Sequence, residues 1–162
     1  MEKAVYVFHD DGVQFGEVAM FPSESPTGSD EFGSSVDIDN GVIVVGAPWA
    51  SDNGSMSGAA FIFERPNGEW NRTQRLAADL GRPEDKFGYR VAILGDTLLV
   101  TAPGVDISEG HVGATYVFRR FNEEWREVGF AHNGATTGTG GFSEAVAIWN
   151  DTAIVGSGYD PS

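Results

Sequence analysis

Residues 87–118 read FGYRVAILGDTLLVTAPGVDISEGHVGATYVF, and residues 32–63 read FGSSVDIDNGVIVVGAPWASDNGSMSGAAFIF. The two stretches lie 55 positions apart and align without a gap. Phe32, Gly33, Val36, Ile38, Val45, Ala47, Pro48, Gly58, Ala59 and Phe63 return as Phe87, Gly88, Val91, Ile93, Val100, Ala102, Pro103, Gly113, Ala114 and Phe118. Self-similarity at one fixed period marks a repeat architecture, in which each unit buries its apolar face against its neighbours.

Within a unit the pattern is that of short strands rich in β-branched and aromatic residues, separated by Gly, Pro, Asn and Asp. In the first unit the strands fall near 33–38, 42–47, 58–64 and 70–77. Asn40 and Gly41 make a tight hairpin turn, Pro48 stops the second strand, and Pro66, Asn67 and Gly68 turn the chain before the fourth. The second unit repeats the plan at 88–93, 97–102, 113–119 and 125–131. One period before residues 58–63 lies KAVYVF at 3–8, and a further strand follows near 15–21, with Phe15 at the position of Trp70 and Trp125. The last stretch, GFSEAVAIWNDTAIVGSGYDPS, supplies two more strands.

Four antiparallel strands per unit and no helical stripe predict the blades of an all-β propeller. A helical solenoid would show a 3.6-residue period, and a parallel β-helix would not carry a hairpin in every coil. Whole units cover 33–87 and 88–142, while residues 143–162 and 1–32 together furnish 52 of the 55 positions of a third, split unit. A single domain of three blades therefore spans 1–162, with one blade divided between the termini. Rings usually hold four to eight blades, so the expected assembly is a symmetric homodimer of six blades, each split blade completed by the partner's terminus. A fragment of a longer propeller, a three-bladed monomer, a trimer and a different sheet fold are the alternatives.

The 24 acidic and 10 basic side chains give a formal net charge of -14. Such a charge repels nucleic-acid phosphates and anionic lipid surfaces, so no nucleic-acid partner is expected. No apolar run approaches a membrane span, and no basic and apolar leader is visible at the N-terminus. Cysteine is absent, which excludes disulfides, a cysteine nucleophile and thiolate metal sites.

The residues FG at 32–33 and 87–88, GAP at 46–48, TAP at 101–103, GAAFIFER at 58–65, GATYVFRR at 113–120 and the EW pairs at 69–70 and 124–125 resemble the FG-GAP repeat family. D-x-F-G at 85–88 also fits, and a worn third copy has Phe142-Ser143 for FG and 156–158 for GAP. The resemblance covers essentially the whole chain and implies integrin-type propeller blades, adhesion-like binding, and a secreted or cell-surface location. It is closest to the short bacterial version of the repeat. The integrin-type version holds calcium between its first two strands in a D-x-D/N-x-D-G-x-x-D loop. Here that place has only Asp37-Ile38-Asp39-Asn40-Gly41, Leu94-Gly95-Asp96 and Trp149-Asn150-Asp151. Calcium takes six to eight oxygens, which two-residue turns cannot supply, so neither a metal nor another cofactor is expected.

The glycines of FG and GAP read as structural, placed where inner strands crowd together. The irregular loops at 49–57 and 104–112 are the places for binding. Trp49 and Tyr159 share one repeat position, occupied by Gly104 in the middle unit. They suit either a local cover over the strand ends or a subunit contact, or else an aromatic platform for a sugar ring or an apolar peptide side chain. Asp52, Asn53, Asp106, Glu109 and His111 in the same loops read either as solvated loop polarity or as oxygen and nitrogen ligands. His9, His111 and His132 occupy different repeat positions, and none joins a Ser/His/Asp or metal-hydrolase pattern. No catalytic residue is assigned. The expected function is a non-catalytic binding module whose loop rim meets a protein or a glycan. A structural or assembly protein is the main rival, and a hydrolytic enzyme comes third.

Overall fold

A computed structural model describes residues 3–25, 28–108, 110–134 and 141–158. The chain is all-β. In order, the strands are β1 (Ala4–Asp10), β2 (Phe15–Pro22), β3 (Ser35–Asp39), β4 (Val42–Ala47), β5 (Ala59–Glu64), β6 (Asn71–Leu76), β7 (Val91–Leu94), β8 (Thr97–Ala102), β9 (Asp106–Ser108), β10 (Gly110–His111), β11 (Ala114–Phe121), β12 (Glu124–Ala131), β13 (Phe142–Trp149) and β14 (Thr152–Ser157). No helix of the described residues is long and apolar enough to cross a membrane.

Strands β3-β4-β5-β6 form one four-stranded antiparallel sheet, and β7-β8-β11-β12 form a second with the same order. Hairpins β1-β2 and β13-β14 stand as separate two-stranded sheets. Every strand of the repeat plan is present, and their registers coincide: Val42 faces Glu64 in the first sheet, and Thr97 faces Arg119 in the second. The small β9-β10 ribbon is an addition that the loop composition at 104–112 does not announce. Asn40 and Gly41 both have positive φ, 47° and 78°, between the paired residues Asp39 and Val42. That is the two-residue turn whose twist suits a hairpin.

Alternation along β4 and β5 explains how the sheets stack. Successive strand residues point to opposite faces. Ile43, Val45, Ala47, Ala59, Phe61 and Phe63 face the β1-β2 hairpin and form one core with Phe21 and Phe32. Val42, Val44, Ala60 and Ile62 point the other way and join Val91, Ile93, Leu98, Val100, Tyr116 and Phe118 in a second core. Both faces of β4 are covered, which is why the strand is an unbroken apolar run. The Phe of each FG pair locks its own unit: Phe32 lies edge-on to Phe61, with centroids 5.3 Å apart, and Phe87 to Tyr116 at 5.4 Å. On the far side of the second sheet, Thr115 and Ser143 share a buried hydroxyl–hydroxyl hydrogen bond of 2.7 Å.

The array therefore runs from the β1-β2 hairpin through two full sheets to the β13-β14 hairpin. Among the described residues, the two hairpins are not hydrogen-bonded to each other within one chain.

Candidate functional site

The loop after β4 begins at Trp49, which is held by its backbone N–H donating to the carbonyl of Asp30 at 3.0 Å. Asp30 is buried, and its carboxylate accepts from Ser23 Oγ at 2.7 Å and from the N–H of Phe32 at 3.3 Å. Asp85 has the same place in the next unit. It is buried, accepts from the N–H of Arg82 at 2.7 Å, and receives the N–H of Gly104 on its carbonyl at 3.1 Å. These two aspartates, two residues ahead of the Phe of each FG pair, fix where the loops leave the sheets. D-x-F-G at 85–88 was a visible signal, and Asp30-Glu31-Phe32-Gly33 repeats it.

With its backbone pinned, the Trp49 side chain remains 45% exposed. It borders a cleft of about 320 Å³ with Glu24, Ser29, Asp30, Ser51, Phe61 and Arg75. Arg75, on β6, pairs with the Asp52 carboxylate and lays its guanidinium 4.9 Å from the centroid of the buried Phe61 ring. Stacking on an aromatic face adds to the ion pair in holding a guanidinium. Trp49 and Asp52 thus come together about Arg75, a residue that loop-based reasoning passes over because it sits in mid-strand.

Asn53 serves its own loop, where its backbone N–H donates to Ser57 Oγ at 3.0 Å. Asp106 opens β9 and pairs in register with His111 on β10, in the corresponding loop of the next unit. The His111 side chain, Glu109 and Tyr159 lie outside the described residues. Among the described residues, no three Asp, Glu or His side chains gather as they would around a metal ion.

A second, wider cleft of about 760 Å³ opens at the hairpin-turn end, between Asn40, Val42, Glu64, Arg65, Thr73 and Arg120. Arg120 reaches the Glu64 carboxylate at 2.9 Å across the seam of the two full sheets. That oxygen makes no aligned hydrogen bond, so the contact is one of charge alone. With no exposed aromatic side chain among the residues lining it, this cleft is a seam between sheets rather than a platform.

No protein of curated function matches the chain at a significant level. The sequence profile described as FG-GAP repeat matches residues 15–63 and again residues 70–118, more than half of the chain. Each match runs from the outer strand of one unit through the first three strands of the next, in the phase that the sheets display. The chain belongs to the FG-GAP repeat family.

Proposed function

We propose that the protein is a non-catalytic binding module of propeller blades, with units at 33–87, 88–142 and one split between the termini, that takes a ligand on its loop rim. The observation that carries this reading is that Trp49 and Arg75 line one cleft, with Asp52 holding the Arg75 guanidinium. An indole face packs against the C–H face of a sugar ring. A carboxylate and serine hydroxyls, here Glu24, Ser29 and Ser51, accept from and donate to ring hydroxyls. That chemistry favours a glycan over an apolar peptide. Family membership supports both the non-catalytic character and a surface or secreted setting with an adhesion-type role.

A glycan array probed with the whole chain, followed by calorimetry on any hit, tests the proposal. Binding should fall at least tenfold in Trp49→Ala and in Asp52→Ala, with unchanged far-UV circular dichroism. Binding indifferent to both substitutions removes the rim cleft as the site. A purely structural or assembly role is the second reading, favoured by the apolar side chains exposed on the two outer hairpins.

A further inference from the structure

Repeat-equivalent positions are buried at the seam between the two full sheets and bare on β3 and on the outer hairpins. Val36 and Ile38 of β3 are 54% and 57% exposed, whereas Val91 and Ile93, their equivalents on β7, are 6% and 4% exposed. Tyr6 and Phe8 of β1 are 55% and 54% exposed, against 6% and 2% for Tyr116 and Phe118. On β14, Ile154 is 69% exposed, while Val44 in the same place on β4 is fully buried. The difference has one cause: Val91, Ile93 and Val44 face each other across the seam between the two full sheets. Among the described residues, Val36, Ile38 and Ile154 have no such neighbour.

The bare surfaces are complementary. Hairpin β1-β2 provides the third and fourth strands of a unit, and among the described residues β2 is the one strand paired with β1. Hairpin β13-β14 provides the first and second strands, and among the described residues β13 is the one strand paired with β14. Between β1 and β3 lies an apolar cleft of about 280 Å³, lined by Val5, Val7, Phe8, Val36, Ile38 and Ile43. A strand laid along β1 there would stand where β4 stands beside β5.

We propose that the occupant is hairpin β13-β14 of a second copy of this chain, docked with β14 antiparallel to β1. The register follows from the repeat. Val42↔Glu64 and Ala47↔Ala59 in the first sheet, and Thr97↔Arg119 and Ala102↔Ala114 in the second, translate to Thr152 against His9 and Ser157 against Ala4. The FG position agrees as well. Phe32 packs on Phe61 and Phe63, and Phe87 on Tyr116 and Phe118; their equivalent Phe142 then meets Tyr6 and Phe8 of the partner. Ile154 and Trp149, the latter 78% exposed, come to rest against Val36 and Ile38. At the seam within one chain, Ser35, Asp37 and Asp39 supply polar side chains to the next sheet. At the proposed junction their places are taken by Ala145, Ala147 and Trp149, which makes this contact the more apolar. Two copies exchanging hairpins at both junctions complete six four-stranded units under one two-fold axis.

The test is the solution mass of the whole chain by light scattering, with two sets of variants. The native chain should have twice the 17.3 kDa mass of one copy. Ile154→Lys and Phe8→Asp alter side chains already exposed in the single chain, so each should give a folded species of half that native mass. Mixing His9→Cys chains with Thr152→Cys chains, in a protein otherwise free of cysteine, should give a covalent dimer under mild oxidation. His9→Cys mixed with Ser157→Cys should not. A native mass other than twice 17.3 kDa, or a dimer untouched by Ile154→Lys and Phe8→Asp, overturns the proposal. These readouts are separate from glycan binding at Trp49, so either proposal can fail alone.

Discussion

The carboxylate of Asp37 accepts a hydrogen bond of 2.8 Å from the backbone N–H of Ile93, in the neighbouring sheet and 56 residues along the chain. It has company on both sides. Ser35 Oγ accepts from Val91 N–H at 3.1 Å, and Asp39 Oδ2 from Gly95 N–H at 2.7 Å. Strand β7 is the edge of its sheet, and an unpaired edge presents bare N–H groups. Alternate side chains of β3 supply the acceptors that a further strand would have given. Two aspartates that sit where the family's calcium loop would begin are thereby engaged in joining sheets.

Asp37→Ala should destabilise the chain by about 2 kcal/mol, since it strands the N–H of the buried Ile93. Asp37→Asn keeps an acceptor oxygen and should cost less than half as much. Urea denaturation measures both. Equal losses in the two variants would mean that the carboxylate charge, and not the hydrogen bond, is what matters. With Asp37 and Asp39 so engaged, EDTA should leave the melting temperature of the native chain unchanged, and a large drop would reveal a bound metal ion.

How much of this was legible beforehand divides along physical lines. Strand positions, the Asn40-Gly41 turn and the stacking order follow from period, alternation and turn chemistry, which are local. The Asp37–Ile93 contact is not, because it depends on the small offset between adjacent sheets, and the tripeptide Asp37-Ile38-Asp39 reads equally well as a solvated edge. Arg75 was missed at the rim for a similar reason. Its repeat equivalent is Phe130, so the repeat gave no hint that this position would carry charge. Trp49 was legible because it breaks the repeat at a loop.

Gly46 and Gly88 offer a sharp contrast with Gly41. A Cβ on Gly46 would lie 2.0 Å from the Gly88 carbonyl oxygen, backbone against backbone across the seam. At Gly41 a Cβ meets nothing within 4 Å, and only the φ of 78° opposes it. Gly46→Ala should therefore cost about 3 kcal/mol, at the upper end of overpacking penalties. Gly41→Ala should cost about 1 kcal/mol. Similar melting temperatures for the two variants would show that the sheets separate more easily than this contact implies.

Gln74 on β6 grips the backbone of Trp125 with both ends of its amide. Its Nε2 donates to the Trp125 carbonyl at 2.7 Å, and its Oε1 accepts from the Trp125 N–H at 2.8 Å. Gln74→Met preserves length and loses both bonds, leaving two backbone groups unpaired beside a buried indole, at a cost of about 2–3 kcal/mol. Gln74→Glu keeps the acceptor alone and should fall between. Hydrogen exchange at the Trp125 amide should accelerate in the Met variant far more than in the Glu variant. Equal exchange in both would remove the acceptor role.

Tyr116 is where pH dependence should appear on the alkaline side. Burial, with the nearby charges of Asp85 and Glu127 adding to it, pushes its hydroxyl up to about 12 from an ordinary 10.0. The folded chain therefore holds this proton more tightly than the unfolded chain does. The stabilisation is whole below pH 10.0 and is lost as pH rises toward about 12. Tyr116→Phe cannot ionise, so its stability should decline less across that interval, with its alkaline unfolding midpoint displaced upward. Tyrosinate absorbance offers the direct check: one of the four tyrosines should titrate late and together with unfolding, and that late step should vanish in Tyr116→Phe. Four tyrosines titrating as one ordinary group would place the Tyr116 hydroxyl in water and contradict the packing of the seam.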